Sequence, residues 1–318
     1  MFTLLELEDA AALVYQAFPG TPQYAWPLLA ERLGTQVWVK HENHTPTGAF
    51  KVRGGIVYAT TLTRTRRDGP GIISATRGNH GQSLAYGGAR AGIPVTIVMP
   101  RGNSVEKNAA MRAFGARLVE HGEDFEAAVA EARRLAIAEN LEFVPSFHPD
   151  LVRGVATYSL ELFREIPDLD VLYAPIGLGS GICGAIRARD VLGLSTEIVG
   201  VQSVGADAYA RSLAAGHVIG LNQAVTNADG MATRQPDPDA FAMIRTGAAR
   251  IVTVTDDEIA AAIRAYWTDT HNLAEGAGAA PLAAALQEKD RLAGKKIGVV
   301  LSGGNIDLSL FRSWVLAD

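Results

Sequence analysis

The chain has 318 residues, a net charge of −5, and 48% of its residues are apolar. This length allows a large core in one domain or in two domains that share an interface. Its basic residues are scattered, which argues against a nucleic-acid-binding surface. The acidic residues Glu6, Glu8 and Asp9 are atypical of a secretory signal, and no apolar run approaches the roughly 20 residues of a membrane span. We therefore expect a cytoplasmic protein that acts on a small molecule and contacts neither nucleic acid nor membrane.

Cysteine content limits the chemistry further. Cys183 is the only cysteine, which excludes an internal disulfide and a cluster of thiolate metal ligands. We expect this side chain to be a small buried hydrophobe.

Predicted helices and strands alternate in the first half of the chain. They are a helix from Leu4 to Phe18, a helical stretch ending at Gly34, a strand at 37–40, a helical pattern from Val52, a strand at 71–74, a helix at 82–91, a strand at 95–99, a helix at 104–114, a strand at 116–120 and a helix at 125–138. The strand at 95–99 is apolar almost throughout, as expected for a strand covered on both faces. Ser104 is a candidate N-cap.

The same alternation continues in the second half. We predict helices at 151–165, 181–192, 256–267 and 279–286, and strands at 170–174, 198–202, 251–254 and 297–301. Between about Asn222 and Pro238 the sequence is polar and has no period, which indicates either a lid-like loop or a poorly ordered one.

This pattern predicts an α/β fold with two lobes, each built on a mostly parallel sheet flanked by helices. We expect a larger domain from residues 1–67 and 147–318, and a smaller domain from residues 68–146. Ligands of such sheets bind beyond the carboxyl ends of strands. Three loops of unusual composition follow predicted strands, and a fourth segment carries a lysine.

The lysine segment is Thr45–Gly54, which lies between a strand and a helix. Lys51 follows Pro46 and Gly48 closely and starts the helical pattern. At such a junction between a strand and a helix, the backbone can hold the lysine amine in a fixed position for covalent chemistry. Taken alone, Lys51 is equally well explained as a solvated residue on the first turn of a helix.

A glycine-rich loop, Gly177-Leu178-Gly179-Ser180-Gly181, follows the strand at 170–174 and precedes a helix. Glycines allow close approach of a ligand, and the N–H groups at a helix start attract anions such as phosphate. The loop has neither a P-loop lysine nor a complete dinucleotide fingerprint, so an ordinary turn remains the alternative.

The loop Thr76–Ser83 also joins a strand to a helix, and its N–H groups are suited to a carboxylate. Asn79 offers a donor to a ring oxygen. His80 is either a general base or a structural residue, and we favour the structural role. Arg77 fits carboxylate recognition through its planar fork, or it is a solvent-facing arginine.

The last loop is Ser302-Gly303-Gly304-Asn305, at the end of the final strand. Ser302 can offer a neutral hydroxyl to a ring nitrogen. The alternative is a turn in which Asn305 caps the next helix.

Four motifs in this order resemble one enzyme family. They are residues 46–54 (PTGAFKVRG), residues 78–80 (GNH), the glycine loop at 177–181, and residues 302–305 (SGGN). Together they resemble the fold-type II pyridoxal-phosphate enzymes, whose fold is like that of tryptophan synthase β, and within them the threonine/serine dehydratase branch. The resemblance covers nearly the whole chain.

The resemblance implies roles for individual residues. Lys51 would form a Schiff base with pyridoxal 5′-phosphate and act as the catalytic base, and the loop Thr76–His80 would bind the substrate. The residues expected to contact the cofactor are Phe50, Lys51, Asn79, Gly177, Leu178, Gly179, Ser180, Gly181, Glu275 and Ser302. Glu275 is equally well explained as a surface carboxylate.

The implied activity is that of a dehydratase, or ammonia-lyase, which converts a β-hydroxy amino acid such as threonine, serine or 3-hydroxyaspartate to a 2-oxo acid and ammonia. The family also implies a homodimer. Alternatives are a β-replacement enzyme of the cysteine-synthase type and a non-catalytic amino-acid-binding protein on the same fold. The residue His80 after Gly78-Asn79 favours the dehydratases.

Three features depart from the family pattern. Arg77 stands where the family usually has a small residue and its racemases have a serine base, which disfavours racemase activity. Gln202 and Ala208 stand where metal-dependent members have carboxylates, so we predict no Mg²⁺ or Ca²⁺ site there. The sequence ends soon after residue 305, so we expect no regulatory domain.

Overall fold

The computed structural model describes residues 2–65 and 69–316. Its strands are β1 (Gln23–Ala25), β2 (Gln36–His41), β3 (Ile72–Ala75), β4 (Val95–Met99), β5 (Arg117–Glu120), β6 (Glu142–Phe143), β7 (Val171–Pro175), β8 (Glu197–Ser203), β9 (Arg250–Val254) and β10 (Lys296–Leu301). They form one sheet in the order β1-β2-β10-β7-β8-β9 and a second in the order β5-β4-β3-β6. Strand β1 runs antiparallel to β2 and the other paired strands are parallel. The prediction of an α/β fold with two mostly parallel sheets is confirmed.

Helices cover both sheets. They are α1 (Leu4–Tyr15), α2 (Pro27–Leu33), α3 (Lys51–Thr65), α4 (Asn79–Ala91), α5 (Val105–Ala113), α6 (Phe125–Ala138), α7 (Pro149–Glu165), α8 (Ser180–Val191), α9 (Ala208–Ala215), α10 (Pro238–Gly247), α11 (Asp256–Thr270), α12 (Gly276–Gln287) and α13 (Leu308–Leu310). Helices α11 and α12 pack on one face of the larger sheet, and α7 and α8 pack on the other. None of the described helices is long and apolar enough to cross a membrane.

Local sequence explains most of these elements. Strands β3 and β4 are buried along their whole length, in keeping with their mostly apolar sequences. The Ser104 side chain accepts a hydrogen bond from the backbone N–H of Lys107 at 3.0 Å, which confirms it as the N-cap of α5. Cys183 is buried in the core, as predicted, and burial raises the pKa of its thiol.

The structure differs from the sequence predictions in several places. Helix α4 begins at Asn79, three residues before the predicted start, and Gly78 is its N-cap. Strands β1 and β6 were not predicted. The polar stretch at 222–238 is a loop that leads into α10, and it inserts the buried side chains of Ala228 and Met231 into the core of the larger sheet.

Glycines bring α3 against its neighbours. A Cβ added to Gly55 would lie 2.2 Å from the backbone oxygen of Ser83 in α4, and one added to Gly87 would lie 2.4 Å from the oxygen of Gly55. The N–H of Gly55 also donates to Oγ of Ser83 at 3.1 Å. A Cβ on Gly154 of α7 would lie 2.5 Å from the oxygen of Arg53. Only glycine permits backbones to approach this closely.

Beneath α3 lies a buried cluster of four charged side chains. Arg53 donates to Glu42 at 2.7 Å and to Glu161 at 2.6 Å, and Lys40 donates to Glu161 at 2.5 Å. The opposite charges balance, so each buried charge has a partner. This cluster fixes the strand before Lys51 and the helix that begins with it. The division into domains at residues 67/68 and 146/147 stays a prediction.

Candidate active site

A cavity of about 440 Å³ lies at the carboxyl ends of strands from both sheets. Its walls include the loop after β3, the loop after β7 and the residue after β10. All of the residues expected to contact cofactor or substrate line it, namely Phe50, Lys51, Thr76, Arg77, Gly78, Asn79, His80, Gly177, Leu178, Gly179, Ser180, Gly181, Glu275 and Ser302. The site is therefore assembled from segments far apart in the sequence.

The segment before Lys51 is held by the loop after β10. The N–H of Phe50 donates to the backbone oxygen of Ser302, and the N–H of Gly304 donates to that of Gly48, each at 2.9 Å. The side chain of Asn305 donates to the backbone oxygen of Thr47 at 2.8 Å. Asn305 therefore ties the two loops together and does not cap a helix, since Asp307 is the N-cap of α13.

Lys51 is the first residue of α3, and its amine faces the cavity. Its Nζ donates to Oγ of Ser180 at 2.7 Å. Burial lowers the pKa of this amine from 10.5 to about 8. An amine with a pKa near neutrality is partly unprotonated and can act as a nucleophile or a base. Because its amine lies in the cavity and donates to Ser180, Lys51 is not an ordinary solvated lysine.

The glycine loop forms a close wall around one end of the cavity. A Cβ on Gly177 would lie 2.4 Å from the backbone oxygen of Gly230. Gly179 has φ +100° and a Cβ there would lie 2.8 Å from Ala240. Gly179 caps α8 without a side-chain hydrogen bond, so the first N–H groups of this 12-residue helix remain for a ligand.

Polar side chains also line the cavity. Asn79 donates to Oε1 of Glu275 at 2.7 Å, and it accepts from Asn305 at 2.8 Å. Glu275 is buried, so it is not a surface carboxylate. Burial raises its pKa to about 7, although the charge of Lys107 opposes this shift. Ser302 is also buried and supplies a neutral hydroxyl to the cavity.

Helix α4 presents its N-terminus to the cavity. Gly78, its N-cap, makes no side-chain hydrogen bond to the helix, which leaves N–H groups of the first turn for an anion. His80 is buried, and burial together with the nearby charge of Lys51 lowers its pKa to about 3. The imidazole is therefore neutral, and its Nε2 has no partner among the described residues.

Charged side chains of α5 and α6 pair with residues of the loop before α10 in the wall of the cavity. Lys107 of α5 contacts the carboxylate of Asp229. Burial opposes the charge of Lys107, but Asp229 and Glu275 raise its pKa above the ordinary value. Arg234, in the loop before α10, donates to Glu126 of α6 at 2.8 Å. These residues were not predicted from the sequence. For Lys107, the one indication was its position soon after the carboxyl end of β4, where ligands of parallel sheets bind.

The cavity fits pyridoxal 5′-phosphate. Phosphate binding requires free N–H groups, which α8 supplies next to three glycines. The cofactor also requires an amine, which Lys51 supplies. Two buried polar atoms in the wall, Nε2 of His80 and Oε2 of Glu275, have no partner within residues 2–65 and 69–316, as expected beside a polar ligand.

The residues considered for a metal site are engaged elsewhere. Gln202 accepts a hydrogen bond from the backbone N–H of Ala210 at 2.9 Å, and Ala208 is buried. Among the described residues, no group of three or more His, Cys, Asp and Glu side chains could hold a metal ion. The absence of Mg²⁺ and Ca²⁺ at this position stays a prediction.

Comparison with known proteins identifies the family of this chain. The family model for pyridoxal-phosphate dependent enzymes matches residues 14–303. An L-threo-3-hydroxyaspartate ammonia-lyase of Saccharomyces cerevisiae is 31% identical over 96% of this chain and 94% of its own. An L-threonine ammonia-lyase of Geobacter sulfurreducens is 38% identical over 88% of this chain and 69% of its own. The structure of threonine deaminase isoform 2 from Solanum lycopersicum has a TM-score of 0.91 and 30% identity over 98% of this chain and 92% of its own. The chain belongs to the pyridoxal-phosphate dependent enzyme family.

Proposed function

We propose that this protein is an ammonia-lyase that uses pyridoxal 5′-phosphate to convert a β-hydroxy amino acid to a 2-oxo acid and ammonia. The observation that carries the proposal is the amine of Lys51, whose pKa is lowered to about 8 in a cavity that is also lined by two helix N-termini without a side-chain cap. Relatives that cover nearly the whole chain are named for the same type of reaction.

The cofactor supplies an electron sink for the α-carbon of the substrate. The first N–H groups of α8, with Gly177, Leu178, Gly179, Ser180 and Gly181, would hold its phosphate. Phe50 and Glu275 would bound its ring, with Asn79 next to the ring oxygen and Ser302 next to the ring nitrogen.

The remaining residues would act on the substrate. Lys51 would remove the proton from the α-carbon, because its amine is partly unprotonated near neutral pH. The N–H groups at the start of α4, in the segment Thr76–His80, would bind the α-carboxylate. His80 would remain neutral in this site and would not act as the base, since a pKa near 3 makes it too weak.

The proposal is tested by incubating the cofactor-loaded enzyme with threonine, serine and 3-hydroxyaspartate and measuring 2-oxo acid and ammonia. We expect equal amounts of both products. Formation of cysteine and acetate from O-acetylserine and sulfide, without release of a 2-oxo acid, would instead identify a β-replacement enzyme. Binding of amino acids without any product would identify a non-catalytic binding protein. As a control, Arg101→Ala, an exposed substitution outside the cavity, should give the same products as the wild type.

We also propose a cytoplasmic homodimer. Cys183 is free and buried, in keeping with a reducing compartment, and the dimer is carried over from the family resemblance. Light scattering of the purified enzyme and fractionation of cells test the two statements. A monomer that retains full activity would contradict the dimer.

A further inference from the structure

We propose that Arg77 selects substrates that carry a second carboxylate on the β-carbon, so that the preferred substrate is a 3-hydroxy dicarboxylic amino acid. The proposal rests on the ammonia-lyase activity proposed above. Arg77 lies in the cavity wall between Thr76 and Gly78, just before the start of α4, which faces the cavity.

The other cations of the cavity already have partners. Lys107 contacts Asp229, and Arg234 donates to Glu126. Lys51 donates to Ser180. In contrast, no hydrogen bond or ion pair joins Arg77 to any residue in the described part of the chain, and its side chain is exposed to the cavity. Within that part of the chain, Arg77 therefore offers the cavity a guanidinium that is free to bind an anion.

The α-carboxylate of an amino acid does not need this guanidinium. The N-terminus of α4, a helix of 13 residues without a side-chain cap, supplies N–H groups for it two residues farther along the chain. An anion for Arg77 must then come from the side chain of the substrate. A carboxylate on the β-carbon lies next to the α-carbon and hence beside the same loop.

The planar fork of arginine binds a carboxylate through two parallel hydrogen bonds. Hydrogen bonds between charged groups are strong enough to change specificity by about 10- to 100-fold. A methyl group in the same place, as in threonine, would leave Arg77 exposed and hydrated. Selection would therefore come from an added interaction with the dicarboxylic substrate rather than from exclusion of threonine.

The test compares substrates and competitors that differ only in the second carboxylate. For the cofactor-loaded wild type and Arg77→Ala, kcat/KM is measured with L-threo-3-hydroxyaspartate and L-threonine. Inhibition or binding constants are measured with L-aspartate and L-alanine, which lack the β-hydroxyl. We expect Arg77→Ala to lower the hydroxyaspartate-to-threonine ratio of kcat/KM by about 10- to 100-fold and the aspartate-to-alanine affinity ratio to a similar extent.

Two further variants sharpen this test. Arg77→Lys keeps the charge but loses the fork, so its ratio should fall between those of the wild type and Arg77→Ala. Arg101→Ala removes an arginine that pairs with Glu123 outside the cavity, and it should leave both ratios unchanged.

The proposal is overturned if both ratios in Arg77→Ala stay within about twofold of the wild type, even when total activity falls, since Arg77 would then serve the α-carboxylate or no ligand. If no amino acid yields a 2-oxo acid, the proposed ammonia-lyase activity fails. The aspartate-to-alanine affinity ratio then still decides the role of Arg77, because it depends on binding alone.

Discussion

Replacement of Lys51 by methionine should abolish turnover and, in the cofactor-free protein, increase stability. The wild-type amine has a pKa of about 8 instead of 10.5 because it is buried. A shift of this size corresponds to about 3 kcal/mol of cost for the charged form at pH 7. Methionine also loses the hydrogen bond from Nζ to Ser180, which is worth about 1 kcal/mol. The expected net gain at pH 7 is about 2 kcal/mol in the free energy of unfolding.

The difference in unfolding free energy between the wild type and Lys51→Met should change with pH. Between about pH 8 and 10.5 the folded wild type has released the proton of Lys51 while the unfolded chain still binds it. Wild-type stability therefore rises with pH over this window relative to the methionine variant, and the difference between them approaches zero near pH 10.

Urea unfolding of the cofactor-free proteins at pH 7 and pH 10 measures both quantities, and the visible absorbance of the cofactor-loaded protein reports the loss of the lysine. Lys289→Met, at an exposed lysine, is the control and should change stability by less than about 0.5 kcal/mol. The reasoning is refuted if Lys51→Met is no more stable than the wild type at pH 7, or if the difference is the same at both pH values.

Two further substitutions test buried charges. Burial raises the pKa of Glu275 from 4.5 to about 7. The folded wild type should therefore lose stability as the pH rises through this range, whereas Glu275→Gln should not. Parallel curves of unfolding free energy for the two proteins from pH 4.5 to 8 would contradict this. Arg53→Met leaves Glu42 and Glu161 buried without their main partner and should lower the free energy of unfolding by about 3 to 5 kcal/mol. Arg32→Met, which breaks an exposed pair with Asp269, should cost under about 1 kcal/mol. Equal losses in the two arginine variants by urea unfolding would show that the buried cluster contributes nothing beyond a surface pair.

Local sequence was sufficient for the longer strands of both sheets. Strand β4 has the bounds predicted for it, because a short and mostly apolar run between two helical patterns is typical of a strand buried on both faces. Strands β1 and β6 escaped prediction because they have only three and two residues, and their pairing partners rather than their own sequences define them.

The candidate site was predictable as a set of loops but not as an arrangement. Lys51, Asn79 and Ser302 each belong to a motif, and the chemistry of each motif can be inferred from residue type. The contact between Lys51 and Ser180 joins residues 129 positions apart, and nothing local indicates it. Likewise, the local sequence around Arg53 does not predict its ion pair with Glu161, because this pairing depends on how α7 packs on α3.

The glycine contact between α3 and α4 has a mechanical consequence for the enzyme. Lys51 is the first residue of α3 and Asn79 is the first residue of α4, and the two helices touch backbone to backbone at Gly55 and Gly87. A hinge motion that separated these helices would break this contact and expose the Ser83 hydroxyl that also donates to the backbone of Lys51 at 2.5 Å. Lys51 and the first turn of α4 are therefore held in one packed unit, so a motion that widened the cavity and kept this contact would have to break other contacts in its wall, such as those of Lys107 with Asp229 and of Arg234 with Glu126.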